Sequence, residues 1–186
     1  MSAEEILFEA EETMEKSVDY MIHEFSGVRT GKASPALVEN VDVMAYGSAM
    51  KLKQLALITT PEPRLLVVQP FDASTVKDIE KALKESKLGI QPLVDGKLIR
   101  LPIPELSEER RKDLVKSLKQ MAEEARVRVR TNRRHALDEA KKLKTGGELT
   151  EDGLRDTEAA VQKLTDKFVK SIDDHFERKE AEVMKV

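Results

Sequence analysis

Residues 107–147 read SEERRKDLVKSLKQMAEEARVRVRTNRRHALDEAKKLKTGG, and the fold follows from this run. Ser107 is a residue type that caps helices, and Glu108 and Glu109 fill a first turn where the helix dipole favours acids. From there Leu114, Leu118, Met121, Ala125, Val129, Asn132, Ala136, Ala140 and Leu143 recur at steps of three and four. That spacing predicts one very long amphipathic helix, stopped by Gly146-Gly147. A helix of this kind cannot bury its stripe alone, so the sequence must supply partners.

Two partners stand at the ends of the chain. Leu7, Ala10, Met14, Val18, Met21, Phe25 and Val28 form a second stripe, stopped by Gly31 and Pro35. Leu154, Val161, Leu164, Phe168, Ile172 and Phe176 form a third, in a helix that starts near Thr150. Near-heptad spacing favours shallow crossings, and hence an elongated three-helix bundle from residues 1–30 and 106–186.

Between the first and second helices the pattern changes. Val41-Asp42-Val43, Leu55–Thr59, Leu65–Val68, Ile90–Val94 and Lys97–Leu101 read as strands, with a turn at Pro61-Glu62-Pro63. Asp72 and Ser74 open a helix carrying Val76, Ile79, Ala82 and Leu83, and Gly89 fits its end. Asp95-Gly96 is a strong hairpin signal. Residues 31–105 are thus expected to form an inserted α/β module with mixed or antiparallel pairing, which makes the fold class α+β. The chain crosses between the modules twice, at Gly31, Lys32, Ala33, Ser34 and Pro35 and at Pro102, Ile103, Pro104 and Glu105. Both crossings are short and contain proline, which predicts two stiff bodies on a hinge.

The chain has no cysteine, so thiolate metal sites, disulfides and cysteine nucleophiles are excluded. A reducing cytoplasm is the expected compartment. No run approaches the roughly 18 apolar residues of a membrane span. His23, His135 and His175 stand apart on different helices, and no Gly-rich phosphate loop occurs. The expectation is a factor without catalytic residues, cofactor or metal.

Charge is where the sequence is most informative. Residues 106–147 carry 13 basic and 7 acidic side chains, net +6, inside a chain of net charge −3. At about 100° per residue, Lys112, Lys119, Arg126, Arg130 and Arg133 fall within roughly 60° of one another beside the apolar face. Lys116 and Arg134 lie just outside this window, Arg111 stands near the core edge, and Glu123 interrupts the line. Arg128 lies on the other side. Arginine forks suit phosphate oxygens, and a rigid helix with a basic residue at each turn can follow an RNA backbone by shape. The alternative is that these arginines pair with acids of neighbouring helices, for instance Glu11, Glu12 and Glu15. A protein–protein adaptor and an enzyme seated in the α/β module are the competing functional classes.

Four stretches carry a resemblance. They are Arg29-Thr30-Gly31-Lys32-Ala33-Ser34-Pro35, Pro102-Ile103-Pro104 with the following Glu108–Leu114, Ala125–Arg130 with Arg133-Arg134, and Val161–Asp166. In this order they closely resemble the bacterial ribosome recycling factor family, over about residue 5 to the C-terminus. Lys32 departs from the arginine common at its position, which keeps the charge but loses the bidentate fork. The resemblance implies an L-shaped, monomeric, cytoplasmic protein that binds the post-termination 70S ribosome. With elongation factor G and its GTP hydrolysis, the protein would split that ribosome into subunits. It also implies that the bundle lies on large-subunit ribosomal RNA, with contact arginines at Arg111, Arg130 and Arg133. Added to the basic row, this gives an expected RNA-contact set of Arg111, Lys112, Lys119, Arg126, Arg130, Arg133 and Arg134.

Overall fold

The computed structural model describes residues 1–185. It divides into two compact units, one made of Met1–Thr30 with the chain from Glu108 onward, the other of Gly31–Ser107.

The first unit is three helices: α1 (Ala3–Ser26), α4 (Glu108–Thr145) and α5 (Glu151–Met184). At 1.5 Å per residue they are about 36, 57 and 51 Å long. α1 opens on a capping box, in which Ser2 Oγ accepts from the Glu5 amide while the Glu5 carboxylate accepts from the Ser2 amide. α4 closes on a Schellman turn at Gly147 (φ 78°), where the Glu148 amide donates to the Leu143 carbonyl and the Gly147 amide to Lys144. The Thr150 side chain then caps α5 by accepting from the Gly153 amide.

The apolar stripes meet in two clusters. One gathers Met14, Val18, Met21 and Phe25 of α1 with Leu118, Ala122, Ala125 and Val129 of α4 and Phe168, Ile172 and Val183 of α5. The other, built on Ile6, Ala10, Ala136, Ala140, Leu154 and Val161, is poorer in large side chains. Between them Asn132 Nδ2 donates to Ser17 Oγ at 3.3 Å, so Asn132 occupies its place in the stripe as a satisfied polar group.

The inserted unit holds a two-stranded sheet, β1 (Asp42–Ala45) with β2 (Ser48–Lys51), and a four-stranded sheet in the order β3-β4-β6-β5. These four strands are Ala56–Glu62, Leu65–Pro70, Leu98–Pro102 and Leu93–Asp95, respectively. A single-turn helix α2 (Leu52–Leu55) precedes β3, and α3 (Val76–Glu85) follows β4. Leu66 and Val68 of β4 lie opposite Leu101 and Ile99 of β6, and all four are buried with Ile79 and Leu83 of α3.

All pairing is antiparallel, which settles against a mixed sheet. The crossover through α3 does link two strands running the same way, β4 and β5. The hairpin after β5 then turns β6 back between them, so the parallel pair never become neighbours. Further differences are local. β3 continues through Pro61 to Glu62, with a register shift after Thr59, and the turn is Pro63-Arg64. A proline is tolerated there because β3 is an edge strand with no ladder to feed on one side. α3 ends at Glu85, where Ser86 Oγ donates to the Leu83 carbonyl, and Gly89 (φ 65°) bends the chain farther on. The β1–β2 hairpin turns on Tyr46-Gly47, both with positive φ (53° and 78°). The Tyr46 hydroxyl bridges to Asp72 Oδ2 at 2.5 Å.

Candidate nucleic-acid interface

The basic row lies on one flank of α4, and its bonds identify the neighbour. Arg126 reaches α5, with Nε and Nη2 donating to Asp173 Oδ1 at 3.0 and 2.6 Å. Arg133 Nη1 donates to Gln162 Oε1, also on α5, at 3.3 Å. The row therefore borders the α4–α5 seam. Glu11 and Glu12 of α1 are engaged elsewhere, with Lys167 at 3.1 Å and Lys16 at 2.8 Å. On the opposite flank, Arg128 sits over the Tyr20 ring, 4.5 Å from its centre, with Nη2 3.9 Å from Glu24.

The seven expected contact residues are not equivalent. Arg126 keeps only 23% of its side chain exposed and bonds two carboxylates, Asp173 and Glu123. Burial alone would lower its pKa, but the hydrogen bonds it donates to Asp173 and then to Glu123 outweigh this and raise it. It is thus the most internally satisfied member of the row and serves first to tie α4 to α5. Arg130 is half exposed and sends Nη1 and Nη2 to Glu123 Oε1, each at 3.3 Å. Arg133 is half-buried and meets only a neutral amide. Lys112 pairs one turn back with Glu108 at 2.9 Å, an exposed contact worth little. Lys119 and Arg134 are exposed, and no carboxylate holds either among the described residues. Arg111 is half-buried, with its Nε enclosed and without a hydrogen bond.

Sequence periodicity found the row but not the restraints on it. Asp173 and Gln162 act on α4 only because α5 runs back along it in a register that no local pattern encodes. Glu123 was visible as an interruption, though not as a ligand shared by two arginines.

The crossings are also specific. The Ala33 amide donates to the Pro63 carbonyl at 2.7 Å, and the Ile103 amide to the adjacent Arg64 carbonyl at 2.8 Å. Arg64 Nη1 pairs with Glu105 at 2.5 Å, Ile103 is buried, and Ser34 caps the short turn Pro35–Leu37. Much of both crossings is therefore fastened to the β3–β4 turn of the inserted unit. Gly31, at φ 82°, holds a conformation that side chains rarely adopt. Among the described residues no three His, Asp or Glu group into a metal-binding cluster, and no helix is long and apolar enough to cross a membrane.

Comparison with known proteins agrees with this architecture. A family model described as ribosome recycling factor matches residues 21–184. The chain is 62% identical over 188 residues to the ribosome-recycling factor of Akkermansia muciniphila, covering 100% of both chains. It is 49% identical over 184 residues to that of Halalkalibacterium halodurans, covering 99% of this chain and 100% of the relative. A solution structure of the ribosome recycling factor aligns at TM-score 0.75 and 43% identity, covering 100% of this chain and 99% of the other. A second structure depicts the T. thermophilus ribosome recycling factor and E. coli elongation factor G bound to the E. coli post-termination complex. It aligns at TM-score 0.63 and 44% identity, covering 99% and 100% of the two chains. Two units of this topology, a basic flank on the longest helix and matches over the full length lead to one conclusion: the chain belongs to the ribosome recycling factor family.

Proposed function

We propose that this protein binds the post-termination ribosome and, with elongation factor G and GTP, splits it into subunits for reuse, without itself catalysing a reaction. The observation that carries the reading is the row of cations on the α5-side flank of α4 with Arg134 beside it, of which Lys119, Arg133 and Arg134 meet no carboxylate. A continuous 38-residue helical support for such a row suits the phosphate backbone of large-subunit ribosomal RNA. The relative bound to a post-termination complex with elongation factor G supports the choice of partners. The protein acts as a cytoplasmic monomer and needs no cofactor. The crossings form a hinge. Because Ala33, Ile103 and Glu105 are fastened to the β3–β4 turn, its pivots lie near Gly31-Lys32 and Leu106-Ser107.

The test is sedimentation of 70S ribosomes with wild-type protein and with Arg133→Glu at low and moderate salt. Salt-sensitive binding that the substitution abolishes is the expected result. It should be followed by light-scattering detection of subunit splitting that requires both elongation factor G and GTP. A folded wild-type chain that does not sediment with ribosomes would refute the proposal.

A further inference from the structure

Glu123 stands in the middle of the basic row, where a carboxylate opposes phosphate binding. Its two oxygens are divided between the row's central arginines. Oε2 accepts from Arg126 Nη1 at 3.2 Å, and Oε1 accepts from both terminal nitrogens of Arg130 at 3.3 Å. Its side chain is 54% exposed, and exposed ion pairs of this kind add little to stability. Arg126 does not need it, being already held by Asp173. Folding therefore gives no strong reason for an acid at this position.

The row is in effect graded. Its centre, Arg126 and Arg130, faces the two carboxylates Glu123 and Asp173, while Lys119 on one side and Arg133 and Arg134 on the other are unopposed. Lys119 and Arg134, the outermost of these unopposed cations, are about 22 Å apart along the helix. An arbitrary RNA duplex that touches the middle of the row meets an arginine whose fork is occupied and a negative charge beside the phosphate. A surface shaped to reach both ends meets bare cations, and can use the donors of Arg130 that Glu123 leaves free.

We infer that Glu123 is a specificity-determining residue, an internal counterion that weakens binding to arbitrary RNA more than docking to the matching ribosomal surface. This rests on the RNA-docking reading above. Specificity then comes partly from an element that repels wrong partners rather than from added attraction for the right one.

The experiment compares full-length wild type with Glu123→Gln, which keeps the shape and removes the charge. Two ligands are used: a labelled 20-base-pair RNA duplex of arbitrary sequence, read by fluorescence anisotropy, and 70S ribosomes, read by sedimentation. For Glu123→Gln the duplex should bind about threefold or more tightly at low salt, with a log–log salt slope steeper by about one. The 70S affinity should gain less, so the ribosome-to-duplex preference falls. An unchanged or weaker duplex affinity, or an equal gain on both ligands, would overturn the inference while wild-type 70S binding stands. Failure of the wild type to bind 70S ribosomes would instead overturn the docking reading, and this inference with it.

Discussion

Arg126 and Arg133 sit seven residues apart on the same flank of α4, yet one is held by a carboxylate and the other only by a neutral amide, and the contrast can be measured. Arg133 meets only the neutral Gln162 amide at 3.3 Å. Its loss should cost the fold little. If it binds a phosphate, the lost charge-assisted hydrogen bond is worth about 1.5–3 kcal/mol. At about 1.4 kcal/mol per tenfold, Arg133→Ala should weaken 70S binding about 10- to 100-fold and flatten the salt slope by about 0.9. Arg126→Met should behave in reverse. It removes both bonds to Asp173, but Asp173 is 47% exposed and rehydrates, which limits the cost to about 1 kcal/mol. That corresponds to a fall in Tm of about 3 °C, with 70S affinity within about threefold of wild type. Thermal melts monitored by circular dichroism and sedimentation over a salt series measure both quantities on the same samples. An Arg126→Met protein that melts normally and loses ribosome binding as Arg133→Ala does would refute the division of roles.

Other features lead to further expectations. The hydrogen bond from Tyr46 holds the Asp72 carboxyl below its usual range, helped by the Ser74 amide, and the same bond holds the Tyr46 phenol above its own. The linkage contributes stability above the ordinary carboxylate pKa and loses it as pH falls through the lowered value. It contributes below the ordinary phenol pKa and loses it as pH rises through the raised one. The Tm advantage of wild type over Tyr46→Phe should therefore be flat between about pH 5 and 9 and shrink at both ends; a gap independent of pH would contradict this. Gly96 has φ 61° with open space around an added methyl, so Gly96→Ala should cost about 1 kcal/mol in urea unfolding through backbone conformation alone. The Ala33 and Ile103 amides should exchange with solvent as slowly as the β4 and β6 ladders, and fast exchange there would move the pivots inward to these residues.

How much was legible in the sequence depends on how local the determinant is. The three helical stripes were readable because burial on a helix repeats in the chain itself, and Met14, Met21, Leu118 and Ile172 are all fully buried. The β1–β2 hairpin was missed because its turn uses Tyr46 where glycine or asparagine is usual, stabilised by a bond to the distant Asp72. β3 was cut short at Pro61, since whether a strand can admit proline depends on its place in the sheet order. For the basic row on α4 the positions were readable from helical geometry. The availability of each charge was not, because Asp173 and Gln162 approach from another helix.

The bonds from Ala33 to Pro63 and from Ile103 to Arg64 have a kinetic consequence. α1 and α4 must meet across an insertion that spans residues 31–107, and closing so long a flexible loop costs roughly 4 kcal/mol of chain entropy. Once the inserted unit has formed, consecutive carbonyls of one turn hold its entry and exit segments, so that closure is already complete when the helices begin to pack. The insertion then acts as a splint for the bundle. Loosening it with Ile99→Ala should slow the joining of α1 to α4 in stopped-flow refolding, and an unchanged bundle rate would mean that the helices assemble without its help.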